Sequence, residues 1–342
     1  MTPTRRDFLQ IGASSLAAAF TRTSGHSRDP VPQQRSRRFH VVQIDVFSAH
    51  RLQGNALAVF TDARGLSDSE MQDIARETNL QETTFVFPRD PAVEKEHGVK
   101  VRIFISEQEI PFGGHPTLGT AMVLLSRQLA QSKKSDAGDG TIQDIALDLQ
   151  VGRIPVTFCN DVSGKVFGEM HQIDPVFGPT HDRATVAALV GVKPADISEE
   201  GPIQTISTGL QFAVVPLKRL STLQSLRPDF QRIRAYFDRE HVLTDFYYVT
   251  RETQESEVGL RSRGMFSTGG EDPATGSAAG CTVAWMVRYG IAQPGQTVHI
   301  QQGVEIKRPS HIFVRANKQG EKIVEVRVGG HAVEIMEGEF SL

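Results

Sequence analysis

Gly113-Gly114-His115-Pro116-Thr117-Leu118-Gly119-Thr120-Ala121 is answered later in the chain by Asp272-Pro273-Ala274-Thr275-Gly276-Ser277-Ala278. Both fit the frame His/Asp-Pro-x-x-Gly-Thr/Ser-Ala, with an offset of 157 residues (272 − 115). Each copy reads as a polar side chain, a proline suited to the first helical position, and small residues opening an apolar helix. A helix start collects free backbone N–H groups and the positive end of the dipole. The sequence therefore offers two similar termini, each able to hold an anion or a developing oxyanion. Duplication predicts that two halves set these termini opposite each other across one site. A chance match between two ordinary helix entries is the alternative, because the frame is short and its residues are common.

Working outward, Thr117 to Leu125 is apolar on every side, and Gly276 to Val287 behaves alike, ending near Gly290. A helix apolar all round is buried all round. Around these two helices the chain reads mostly as short strands: 39–47, 56–60, a short turn running into a β-rich strand over 80–87 and one over 99–105 before the first; 145–150, 154–158, 164–171, 203–207, 211–217, 244–250 and 257–266 between them; and 297–301, 311–315, 323–328 and 331–336 after the second. Gly54-Asn55 reads as a turn, Gly329-Gly330 as a hairpin turn, and Gln131–Gly140 as a polar surface loop. A helix begins at Ser67 with Glu70 closing a capping box, buries Met71, Ile74 and Ala75, and stops at Asn79. Further helices are expected near 183–190 and 229–238. This is not the alternation of a parallel doubly wound sheet. It predicts an α+β fold of two similar domains, 39–160 and 161–342, each a curled, mostly antiparallel sheet around a buried central helix. A late strand could return to the first domain. Residues 39–342 number 304, or two units of about 152.

Composition narrows the function classes. The 342 residues are 39% hydrophobic and 23% charged, with a net charge of −3 and a pI near 6.4. No basic excess points to nucleic acid or an anionic membrane surface. No apolar run reaches the roughly 18–20 residues of a membrane span. Cys159 and Cys281 make at most one bridge and lack CxxC spacing. At the start, Thr4-Arg5-Arg6-Asp7-Phe8-Leu9 is similar to a twin-arginine export signature. A weakly apolar stretch to Phe20 follows, with an Ala-x-Ala site at 17–19 and a polar linker over 21–38. A periplasmic or secreted protein is the expectation; a polar tail with a chance Arg-Arg pair is the alternative.

Several segments together carry a family resemblance: Asp45-Val46-Phe47 with Gly54-Asn55-Ala56-Leu57-Ala58-Val59, Met71 to Phe85, Arg102-Ile103-Phe104, the Gly-Gly-His-Pro-Thr-Leu-Gly stretch, Glu271 to Ala278, Gln302-Gly303-Val304-Glu305, Arg308-Pro309-Ser310 and Val328-Gly329-Gly330. In this order they resemble the PhzF family of phenazine-biosynthesis isomerases, within the diaminopimelate epimerase-like fold. The resemblance implies a metal-free and cofactor-free isomerase, a homodimer, that shifts a proton within a small carboxylate-bearing, cyclic substrate such as trans-2,3-dihydro-3-hydroxyanthranilate. It puts the general acid/base on Glu82, with His115, Asp272 and Ser277 assisting. Ser106 departs from the family, which often has proline shortly after Arg-Ile-Phe.

Read by their chemistry, these residues keep two meanings each. A 1,3-proton shift needs a group that takes a proton and returns it at a neighbouring carbon, and a desolvated carboxylate serves. Glu82, between Leu80 and Phe85, is either that group or a solvated glutamate at a turn. His115 donates to substrate or shuttles a proton, or else caps its helix. Asp272 holds a substrate amine or orients His115, and could also be a plain N-cap. Gly114, Gly276 and Ser277 offer substrate-binding backbone N–H groups. Paired cysteines, the acid/base couple of racemases of this fold, do not stand at these helix starts. Gly276–Gly280 is no Gly-x-Ser-x-Gly elbow, and no metal, dinucleotide or P-loop spacing occurs. An epimerase, or a periplasmic binding protein with the same pocket, are the rival readings.

Overall fold

Alternation in the first strand and the turn at Gly54 produce a tight antiparallel pair, β1 (Arg38–Val46) with β2 (Asn55–Phe60). The computed structural model describes residues 36–131, 142–239, 244–266 and 270–342. The export signature and all but the first residue of the polar 131–140 loop lie outside these. Arg38–Leu342 form one compact unit. After β2 come α1 (Asp68–Thr78), β3 (Glu82–Phe87), α2 (Pro91–His97), β4 (Val99–Phe104), β5 (Glu109–Ile110), α3 (Gly114–Gln131), β6 (Ile142–Leu149), β7 (Gly152–Asn160) and β8 (Val166–His171). Then follow β9 (Val176–His181), α4 (Arg183–Val190), β10 (Ile203–Ser207), β11 (Gln211–Leu217), α5 (Leu220–Gln224), α6 (Phe230–Arg239), β12 (Asp245–Thr250), β13 (Leu260–Phe266) and β14 (Gly270–Asp272). The chain closes with α7 (Gly276–Arg288), β15 (Val298–Gln302), β16 (Ser310–Gln319), β17 (Lys322–Gly330) and β18 (Ala332–Ser341).

The strand pairings form one continuous ribbon. Its first run is β18-β1-β2-β3-β4-β6-β7-β8, parallel at β2–β3 and β4–β6 and antiparallel elsewhere. From β8 it crosses to β17 and continues β16-β15-β13-β12-β11-β10-β9. Read from its other end, β9 to β17, the second run repeats the first: parallel at β11–β12 and β13–β15, antiparallel elsewhere. Short β5 sits on β4 as short β14 sits on β13. In each run the apolar helix enters between the short strand and the next long one.

The stretches 117–125 and 276–287 of those two helices pack inside because they have no polar face to offer, while the polar end of α3 at Ser126, Arg127 and Gln128 reaches solvent. α3 packs on β1, β2 and β6, and α7 on β16, β17 and β11. In α7 every residue from Gly276 to Val287 is buried. Both helices share one large apolar core. A second core lies beneath α4, α5 and α6, and a third beneath α1. α1 forms as its sequence dictates. Ser67 accepts from the Glu70 N–H, Glu70 reaches back to the Ser67 N–H, and Asn79 closes the helix in the left-handed region. A cap of this kind contributes about 1 kcal/mol.

Two expectations are corrected. Gly329-Gly330 is not a hairpin turn. Neither residue has positive φ; both lie in β17, where Gly329 pairs with Phe313 and Glu169 on its two sides. A Cβ on Gly329 would stand 2.8 Å from the Phe167 ring, so the glycine serves close packing between strands. β18 then leaves β17 altogether to pair with β1. The second correction concerns the repeated frame. Its prolines do not both open helices: Pro116 is the third residue of α3, whereas Pro273 precedes α7 by three residues. Thr275 holds the N-cap position of α7, and Asp272 ends β14 instead. The helix starts correspond as Gly114 with Gly276, 162 residues apart (276 − 114), against 157 for the sequence frame.

Candidate active site

The two helix starts are in direct contact. A Cβ on Gly114 would collide with the Ser277 backbone nitrogen and lie 2.5 Å from the Gly276 carbonyl carbon. Only glycine admits that approach. The first helical bonds run from Thr117 N–H to Gly113 O and from Ala279 N–H to Thr275 O. The amides of Gly114, His115, Gly276, Ser277 and Ala278 therefore precede the first turn of either helix, where intrahelical partners are lacking.

His115, Glu82 and Asp272 converge beside this contact. His115 is the second residue of α3 and is buried. Its Nε2 lies 3.3 Å from Glu82 Oε2. Glu82 opens β3, and its side chain keeps 18% exposure, so one buried edge faces His115 while a remainder stays open. Asp272 is buried at the end of β14. Its Oδ2 accepts from the Thr275 hydroxyl at 2.5 Å and its Oδ1 from the Asn55 amide at 2.7 Å. Behind it, Gln302 Nε2 donates to the Asp272 carbonyl and to Thr275 Oγ1, while Gln302 Oε1 accepts from the Thr275 N–H and from the Tyr247 hydroxyl. Ser277, also buried, is the second residue of α7, the place His115 holds in α3.

Burial decides the charges. It raises the Glu82 carboxyl well above the usual carboxylate range, and the charge of Asp272 pushes it further. It lowers His115 to about 3, so the ring is neutral near pH 7. It raises Asp272 to about 7 against the opposing hydrogen bonds from Thr275 and Asn55. A carboxyl poised to hold or release a proton, a neutral imidazole and a second carboxyl near neutrality are what acid/base chemistry requires.

These shifts oppose one another in stability. Asp272 holds its proton in the fold, so its contribution is complete below its ordinary value near 3.8 and is lost as pH rises toward 7. His115 is held neutral, so its contribution grows as pH rises from about 3 through 6.5. Between about pH 4.5 and 6.5 these two largely cancel, and Glu82, raised like Asp272, leaves the parent losing stability as pH rises. Asp272→Asn should therefore flatten that fall, by up to about 1.4 kcal/mol per unit. His115→Gln should steepen it. Urea unfolding at pH 4, 5 and 6.5 measures both slopes; parallel curves for all three proteins would refute the assignment of these shifts.

All six residues singled out in the sequence are thus brought together. Asn55, Thr275, Gln302 and Tyr247 were not singled out. Asn55 read as half of a turn, yet it is the buried first residue of β2. The loop before it is clamped by Arg308, which donates to Asp45 Oδ1 and to the carbonyls of Gln53 and Gly54. Among the described residues, no cluster of three His, Cys, Asp or Glu side chains has a metal-binding arrangement. No helix among them is long and apolar enough to cross a membrane.

Two raised carboxyls and a neutral imidazole thus stand beside paired helix starts that the fold itself brings together. The chain belongs to the phenazine biosynthesis-like protein family, whose model matches residues 44–338. It is 33% identical over 302 residues to a trans-2,3-dihydro-3-hydroxyanthranilate isomerase of Pseudomonas aeruginosa, covering 88% of this chain and 99% of that one. Among solved structures it resembles a predicted epimerase from Pseudomonas aeruginosa (TM-score 0.72, 31% identity, 88% of this chain and 99% of that one). It also shares the fold of a PhzF-family protein from Bacillus anthracis (TM-score 0.76, 24% identity, 90% and 99%).

Proposed function

We propose that this chain is an isomerase that moves a proton between carbons of a small, cyclic, carboxylate-bearing substrate of the trans-2,3-dihydro-3-hydroxyanthranilate kind, without a cofactor. The observation that carries this reading is the convergence of Glu82, His115 and Asp272 on the Gly114–Gly276 contact. Glu82, raised in basicity by burial, takes the proton from one carbon and returns it to another. Neutral His115 donates from Nε2, and Asp272 holds the polar group of the substrate. The amides of Gly114, Gly276 and Ser277, with the positive ends of α3 and α7, bind its carboxylate. The similar isomerase of Pseudomonas aeruginosa supports the choice of substrate.

The test is turnover of trans-2,3-dihydro-3-hydroxyanthranilate in D₂O, followed by absorbance and mass. Deuterium at a new carbon with a shifted double bond is expected. Deuterium at a carbon that only inverts would make the protein an epimerase, and tight binding without exchange a binding protein.

The recurrent pairing order fits two similar diaminopimelate epimerase-like domains, with β18 returning to complete the first. The assembly is a homodimer, for which sedimentation giving a monomer is the contrary result. The twin-arginine signature directs export, so a reporter fused after residue 38 should stay inside the cell once Arg5→Lys and Arg6→Lys are introduced.

A further inference from the structure

Asn55 comes from the β1–β2 pair, yet its amide reaches both walls of the site. Nδ2 lies 2.7 Å from Asp272 Oδ1, 3.0 Å from the Ala274 carbonyl and 3.1 Å from His115 Nδ1. One of these partners, the Ala274 carbonyl, can only accept, and the Asp272 oxygen accepts from the same group. The amide must therefore present its NH₂ to them, because the flipped rotamer would set oxygen against oxygen. An Nδ1–H on His115 would then face a donor, on a side chain only 3% exposed, where losing a partner is costly. Nδ1 must carry its lone pair toward Asn55. The ring proton stands on Nε2, which is 3.3 Å from Glu82 Oε2 but makes no hydrogen bond to it.

We propose that Asn55 is a positioning residue that locks His115 in the Nε2–H tautomer, leaving a buried Nε2–H that no group of the fold accepts and that is therefore free for substrate. The lock couples both halves of the site: the same NH₂ group that selects the tautomer also steadies Asp272 Oδ1 and the approach to α7 at Ala274. The tautomer follows from geometry alone. Its catalytic meaning rests on the isomerase reading.

Asn55→Asp tests the lock with least change of shape, since an oxygen then faces Nδ1 and invites a proton there. Asn55→Ala removes the donor without adding charge. Long-range ¹H–¹⁵N correlation spectra of protein labelled at histidine nitrogens, assigned with His115→Gln, read the tautomer directly. The expected result is Nε2–H in the parent protein and Nδ1–H, or a doubly protonated ring, in Asn55→Asp. Asn55→Ala should give a mixture. In whichever variant folds, kcat should fall by about 10²-fold with KM changed far less, as for a misaimed catalytic group. A purely structural Asn55 would lower stability without moving the tautomer. Nδ1–H in the parent protein, a result that needs no variant, or an unchanged Nε2–H form in the variants, overturns the proposal. A tautomer that shifts as expected, in a protein with no isomerase turnover, would uphold the lock and refute the functional reading.

Discussion

Glu82→Gln is expected to lower turnover by about 10²–10⁴-fold, the contribution of a direct proton-transfer group, while the protein stays folded. The two halves of this expectation have separate causes. Burial and the neighbouring Asp272 hold the Glu82 carboxyl above the usual range, so the fold already favours its uncharged form. Glutamine is the neutral mimic of that form and nearly the same shape, and Glu82 Oε2 makes no hydrogen bond that the change would break. Stability should accordingly be retained or raised, most clearly above neutral pH, where keeping a buried carboxylate charged would be costly. What glutamine cannot do is carry a proton from one carbon to the next. Turnover and thermal unfolding measured side by side separate chemistry from folding. Unaltered turnover in a folded Glu82→Gln protein would remove Glu82 as the acid/base and return the site to His115 and Asp272.

The second large effect is expected at Gly114→Ala. The added carbon would collide with Ser277 N and meet Gly276 C at 2.5 Å and Gly276 Cα at 2.6 Å. These are backbone atoms of a helix buried on all sides, so no side chain can rotate away. The two helix starts must part. Overpacking of this kind costs about 1–3 kcal/mol. A displacement on the order of 1 Å at the catalytic groups costs about 10²-fold in rate. Gly338→Ala is the control, because nothing lies within 4 Å of its Cβ position and its φ is not positive. Urea unfolding and turnover of the two variants should differ sharply. A Gly114→Ala protein as stable and as active as the parent would mean that the helix contact is not what builds the site.

Much of the fold was legible because the elements announce themselves locally. Ser67 and Glu70 sit three apart and make their box wherever the helix docks. The runs at 203–207 and 211–217 became strands with the same ends, since alternation and flanking turns suffice there. The partners of those strands were not legible. That β8 meets β17, or that β18 meets β1, depends on contacts between distant residues that no short window contains. The repeated frame shows the same limit within a motif. It identified both helix starts, yet aligned His115 with Asp272, whereas His115 corresponds in position to Ser277. Pro-x-x-Gly recurs in sequence, but the structural equivalence is set by which glycine touches which. The buried amides of Asn55 and Gln302 were hidden for a related reason. Each sits at the end of a short strand, and only the folded chain turns Asn55 toward the Asp272 carboxyl and Gln302 toward the Asp272 carbonyl and Thr275.

The return of β18 to β1 has a consequence for biosynthesis. β1 is among the first segments of the described chain to emerge from the ribosome, and its partner along one edge emerges almost the whole chain later. The second run of strands can close on itself before that, because β9 to β17 are consecutive. Order of synthesis and order of completion are therefore reversed: the half that is translated first is finished last. Until residues 332–341 arrive, β1 presents an open edge of unpaired amides and carbonyls, the kind of edge that recruits foreign strands. The nascent chain is most exposed to misassembly at its beginning, for as long as its far end is still being made.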